Sequence, residues 1–271
     1  MMTAIFGLLA ETPIHPGSGR TMGVIDLPIA REATTDHPVL VGSSLKGALR
    51  DKLRSREHER TAALFGKPDQ AGELLVSDGR LLLLPVRSLT GPYRWVTCPY
   101  LIERFARDLT RAGSRPAFAI PKVEKRAVLC EGRDEPLFLE ERQFEVAGAP
   151  AKPLVDALIH LIHHAETRAR LPGQLAVLAD EDFAWFARYG LPIQARNILD
   201  KGTKSSKNLW YEETLPPDTL LYALIAARSG DVLDELRGHV REDRYLQVGG
   251  NETVGHGWCV LRELEEDDDD N

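Results

Sequence analysis

The run Thr3-Ala-Ile-Phe-Gly-Leu-Leu-Ala10 is apolar almost throughout, a pattern that suits a central strand. Glu11-Thr-Pro-Ile-His-Pro-Gly-Ser-Gly19 then breaks it with two prolines and two glycines, and a long loop is expected to about Pro38. Beyond Gly42 the period changes. Leu45, Leu49 and Leu53 recur at i, i+4 and i+8, which predicts an amphipathic helix with Ser43 or Ser44 as its N-cap. Lys46, Arg50 and Arg54 repeat at the same spacing and form a basic stripe on another side of that helix. Residues 74–84 hold two apolar runs around Ser77-Asp-Gly79 and read as two strands or one bulged strand, and Arg94-Trp-Val-Thr97 reads as another.

Helical spacing returns over 99–111, through Leu154, Val155, Leu158, Ile159 and Ile162, and around 180–188. The region of about 98–190 is therefore expected to be a helix-rich insertion, with a hairpin between 125 and 146. From 218 the order is strand (Thr219 to Ala227), helix (Val232, Leu233, Leu236, Val240), strand (Tyr245 to Val248), glycine-rich loop and strand (Gly257 to Leu261). Strand–helix–strand at both ends predicts an α+β fold on a four-stranded, ferredoxin-like sheet. No internal repeat is present.

Composition changes this picture little. The chain has 271 residues, enough for one elaborated domain or two small ones. Its net charge of −7 is unpromising for a nucleic-acid binder, but the seven acids between Glu263 and Asn271 account for all of it. Such a run reads as a solvated tail, and the neutral remainder neither supports nor excludes RNA binding. Cys98, Cys130 and Cys259 are odd in number and far apart, which argues for buried thiols over a disulfide framework or zinc site. No apolar run approaches the roughly 20 residues of a membrane helix, and the N-terminus lacks a leading basic segment, so a cytoplasmic protein without membrane contact is expected.

Three glycine-rich segments could carry chemistry: His15-Pro-Gly-Ser-Gly19, Gly42-Ser-Ser-Leu-Lys-Gly47 and Gly249-Gly-Asn-Glu-Thr-Val-Gly-His-Gly257. None has Walker or dinucleotide-binding spacing, which counts against a stand-alone nucleotide-binding enzyme. Each could be an ordinary turn. Together, with a helix start and basic stripe behind the second, they favour a surface whose backbone N–H groups face phosphate.

Leu246-Gln-Val-Gly-Gly-Asn-Glu-Thr-Val-Gly-His-Gly-Trp258 resembles the C-terminal glycine-rich loop of the RAMP superfamily, the RNA-binding proteins of CRISPR systems. Gly23-Val-Ile-Asp-Leu-Pro-Ile-Ala-Arg31, Pro38 to Asp51, Leu64-Phe-Gly66, Ser77 to Leu89 and Trp95-Val-Thr-Cys-Pro-Tyr-Leu101 resemble, in order, blocks of the backbone subunit of type III-B (Cmr) effector complexes. The likeness spans residue 15 to about 261 and is thin over 112–190. It implies one RAMP domain over 1–262 with an RRM-like core, a β-hairpin thumb at about 193–213 and a disordered acidic tail at 263–271. It also implies copies stacked along a guide RNA beside other Cmr subunits. Each thumb would displace one base pair in six of the guide–target duplex. Two short apolar strands around a basic turn with Lys201, Lys204 and Lys207 fit that thumb.

The same resemblance promotes Asp26, otherwise a lone loop acid, to the residue that cleaves target RNA at six-nucleotide intervals. A carboxylate beside a phosphate is repelled, so a divalent cation, Mg²⁺, is expected between them, bound weakly and only with RNA. His15 is open to two roles, a guide contact or the general base of a metal-independent guide-precursor endoribonuclease. A purely structural, non-cutting RAMP subunit is the other alternative. The guide contacts expected are His15, Arg20, Ser43, Ser44, Lys46, Arg50, Lys201, Lys204, Gly249, Gly250 and Gly255.

Overall fold

A computed structural model describes residues 1–19, 23–54, 58–67, 69–132 and 135–264; Arg20 and residues 265–271 lie outside them. The first apolar run becomes β1 (Met2–Ala10), buried from Ala4 onward. A long loop leads to β2 (Val39–Leu40), α1 (Gly42–Arg54) and α2 (His58–Phe65). α1 buries Leu45, Leu49 and Leu53 as their spacing requires, each contributing roughly 2 kcal/mol. Its cap differs from the expectation. The Gly42 N–H donates to Asp78 Oδ1 at 2.6 Å, while Ser43 and Ser44 stay exposed. Asp78 lies between β3 (Leu74–Val76) and β4 (Gly79–Ser88), so the break in that apolar region brings a carboxylate to the positive end of the helix.

β5 (Gly91–Thr97) and α3 (Pro99–Arg111) follow, then β6 (Ala127–Cys130), β7 (Leu137–Leu139), β8 (Arg142–Gly148), α4 (Lys152–Ile159), α5 (Ala165–Gln174), β9 (Leu175–Leu178) and α6 (Asp180–Tyr189). Among the described residues of 98–190 four helices stand beside four strands, two of which lie outside the expected hairpin. They are short, and a buried run such as Leu175-Ala-Val-Leu178 has no periodicity that separates strand from helix. β7 and β8 form the hairpin expected there, and β6 runs parallel to β8. The chain ends with β10 (Ile193–Leu199), β11 (Ser206–Glu213), β12 (Leu220–Ala227), α7 (Gly230–Glu242), β13 (Tyr245–Gln247), a short 3₁₀ turn at Glu252–Val254, and β14 (Trp258–Glu263).

The sheet is larger than four strands. Its path runs β13-β14-β1-β12-β4-β5-β9-β6-β8-β7, with β2 on β4 and β3 on β12. β7 returns to β4 through Ser88 opposite Leu139, so six strands close into a barrel-like ring. Closure removes the open edges that short apolar strands would otherwise expose. The first five strands of the path pair antiparallel, with β1 between β12 and β14, and α7 packs on this section. A Cβ on Gly7 in β1 would overlap the backbone of Leu161, so only glycine lets the segment after α4 approach there.

Two smaller expectations, on the cysteines and on the acidic tail, resolve here. The cysteines are buried thiols outside any disulfide, and burial pushes the Cys98 and Cys259 thiols up, which keeps them unreactive. Trp95 is core, but Trp258 is 42% exposed, because it opens β14 beside the groove described below. Glu263, assigned by composition to the tail, instead ends β14, buried, with both oxygens on the Arg237 guanidinium.

Candidate nucleic-acid interface

Two of the glycine-rich segments meet the flank of α1 in one place. His15, Pro16 and Gly17, then Ser44, Gly47, Ala48 and Asp51 of α1, and Gln247, Gly249 and Gly250 line an open groove of about 440 Å³. The His15 carbonyl ties two of the segments together by accepting the N–H groups of Gly17 (3.0 Å) and Gly250 (2.9 Å). Gly249 has φ +80°, and a Cβ there would stand 2.5 Å from the same oxygen, so the close approach requires glycine. These bonds take three amides out of the expected phosphate-facing surface. The amides of Gly17 and Gly250 are spent on His15, and that of Gly42 on Asp78.

The loop acid and the thumb form the second part. β10 and β11 make a two-stranded sheet of their own, joined by residues 200–205. Lys201 and Lys204 lie exposed at its tip, whereas Lys207 belongs to β11 and pairs with Asp200. Seven residues of β10 set the tip about 23 Å from the root. At the root, Asp26 Oδ2 accepts the Tyr211 N–H at 2.8 Å, and Leu27 pairs parallel with Glu212. Asp26 is thus held by a backbone bond to the thumb strand, half-buried.

Two buried carboxylates anchor this root. Glu213 pairs with Arg31 at 2.6 Å and accepts the Ile29 N–H, while its carbonyl accepts from His15 Nδ1 at 2.8 Å. Glu212 accepts from Trp210 Nε1 (2.7 Å), Asn251 Nδ2 (2.8 Å) and Arg196 Nε (3.2 Å). Burial pushes the Glu212 carboxyl up, but these donors outweigh it and hold it below its ordinary value. Asn251 follows Gly250, so the groove and the thumb root share one polar network. His256 adds Nε2 to it, 3.3 Å from the Arg196 guanidinium; burial first, and that cation second, lower its pKa.

Of the expected contacts, His15, Ser44, Gly249 and Gly250 line the groove. Ser43, Lys46 and Arg50 lie on neighbouring faces of α1, Gly255 follows the 3₁₀ turn, and Lys201 and Lys204 are at the thumb tip. The sequence reading missed Asp51, Gln247, Arg196, Glu212, Glu213, Asn251 and His256. The only local signal was two adjacent acids ending a strand that is otherwise exposed, since such acids are buried only with partners. Among the described residues, no group of three or more His, Cys, Asp or Glu could hold a metal ion, and no helix is long and apolar enough to cross a membrane.

Comparison with known proteins agrees with this geometry. The RAMP superfamily profile matches residues 8–260. The CRISPR system Cmr endoribonuclease Cmr4 of Pyrococcus furiosus is 37% identical over 96% of this chain and 95% of its own length. The crystal structure of oligomeric Cmr4 from the same organism superposes with a TM-score of 0.78 at 31% identity, covering 98% of this chain and 100% of that one. A chain of the type III-B Cmr-β complex bound to cognate target RNA shares the fold at 21% identity, with a TM-score of 0.79 over 98% of both chains. With its glycine-lined groove and root-anchored thumb, the chain belongs to the RAMP superfamily and, within it, to the Cmr4 family.

Proposed function

We propose that the chain is a backbone subunit of a cytoplasmic Cmr-type ribonucleoprotein, stacking with copies of itself and other Cmr subunits. It binds guide RNA along the groove and cuts paired target RNA at six-nucleotide intervals from Asp26. The observation that carries this is the shared network: residues 210–213 of the thumb bond to the loop bearing Asp26, to His15 and to the glycine loop. The strand order β14-β1-β12-β4, with α1 and α7 as the crossovers, supports reading this section as the RRM-like core.

The chemistry is displacement of the ribose 5′-oxygen by the neighbouring 2′-oxygen at phosphorus. Paired A-form geometry does not align these atoms, so a thumb that extrudes one nucleotide supplies a large positioning effect. Asp26 keeps one oxygen on the Tyr211 amide and has the other to offer a proton or cation. Its single carboxylate fits Mg²⁺ only where RNA phosphates and waters complete the shell, and there the ion would neutralise charge at the phosphate. The test is an assembled complex carrying Asp26→Asn. Guide and target binding should persist while cleavage falls by about a hundredfold or more, and intact cleavage would sink the assignment.

One observation favours a second reading. His15 donates from Nδ1 to the Glu213 carbonyl, so in the neutral ring Nε2 is a proton acceptor, as a general base requires. Cleavage that survives excess chelator but not His15→Ala would select it.

A further inference from the structure

The groove is rich in hydrogen-bond acceptors. Several donors around its glycine segments are committed: the amides of Gly17 and Gly250 to the His15 carbonyl, and both Gln247 Nε2 bonds to the carbonyls of Gly249 and His256. Beside the exposed Ser44 hydroxyl, which can donate or accept, the groove presents Gln247 Oε1, His15 Nε2 and the exposed Asp51 carboxylate, which among the described residues has no hydrogen-bond or ion-pair partner. Asp51 stands two turns from Ser44 on one flank of α1, while the basic Lys46 and Arg50 lie on other faces. Phosphate oxygens and the ribose ring oxygen are themselves acceptors. The 2′-hydroxyl is the one donor on an RNA backbone.

We propose that Asp51, assisted by Gln247, reads the 2′-hydroxyl of the guide strand and makes the groove selective for ribose. The inference rests on the groove being the guide path. Phosphate attraction then comes from the flanking cations, and the groove interior discriminates sugars. Removing the donor from the strand and removing the acceptor from the protein should therefore cost the same contact.

The test measures binding of the purified full-length chain to single-stranded RNA and to the same sequence with 2′-fluoro sugars, in excess chelator. Fluorine keeps the sugar small and RNA-like but donates no hydrogen bond. The native chain should prefer RNA by about tenfold or more, the scale of hydrogen bonds to a charged group. Asp51→Ala should weaken RNA binding until the preference is nearly gone and leave 2′-fluoro binding unchanged. Asp51→Asn should keep part of the preference, since its amide oxygen still accepts. An equal loss on both strands, an unchanged preference in Asp51→Ala, or a preference that needs Mg²⁺ would each overturn the proposal. Gly47→Gln tests the guide path separately: if it leaves both affinities intact, the path is wrong and the sugar preference lies elsewhere.

Discussion

A Cβ on Gly47 would meet nothing within 4 Å, although the residue lies mid-helix on the groove wall. Gly47→Gln should therefore stabilise α1 by about 0.5–1 kcal/mol, since glycine is a poor helix former, while its side chain obstructs the groove. A higher melting temperature with weaker guide binding is the expected pair of results. His256 makes a different kind of prediction. Burial and Arg196 hold its pKa below the ordinary 6.5, against the opposing pull of Glu212. The unfolded chain thus takes up a proton that the folded chain resists. The stability associated with His256 is complete above about pH 6.5 and is lost as pH falls toward the lowered folded value. His256→Gln should flatten that part of a melting-temperature profile across pH 5–7 or so. Asp26 was identifiable from the blocks around it, but its hold on the Tyr211 amide, 185 positions away, was not.

The thumb depends on its root. Five of its large apolar residues, Ile193, Ile198, Leu199, Leu209 and Tyr211, are exposed, so burial contributes little to fixing its direction. The Arg31–Glu213 pair and the donors on Glu212 do that. Arg31→Ala strands a buried carboxylate and should cost about 3 kcal/mol in a denaturant titration, with cleavage reduced because the Asp26 loop is tied to the same strand. Elements with strong periodicity were legible: α1, α3, α6, α7 and β12 lie close to where the apolar spacing puts them. β6, β7 and β9, of three or four residues each, were not, because their assignment depends on partners far along the chain.

For the whole molecule, charge is distributed so that body and tail act separately. Truncation after Leu264 removes six acids and takes the net charge from −7 to −1. Guide affinity should rise modestly at low salt, and the gain should vanish at high salt as screening sets in. The closed ring of six strands was invisible beforehand, since closure rests on one pairing, Ser88 with Leu139, between segments that each look like ordinary hairpins. The sequence by itself determined the strand–helix–strand ends, the buried face of α1, the glycine-rich segments and the family resemblance, because periodicity and motif are local properties of the chain. Only the tertiary structure decided that the α1 cap is Asp78, that the Gly17 and Gly250 amides are spent on His15, and that Asp51, Gln247 and His15 share one groove. Those outcomes depend on which distant groups hydrogen-bond to one another, and spacing along the chain carries no record of that choice.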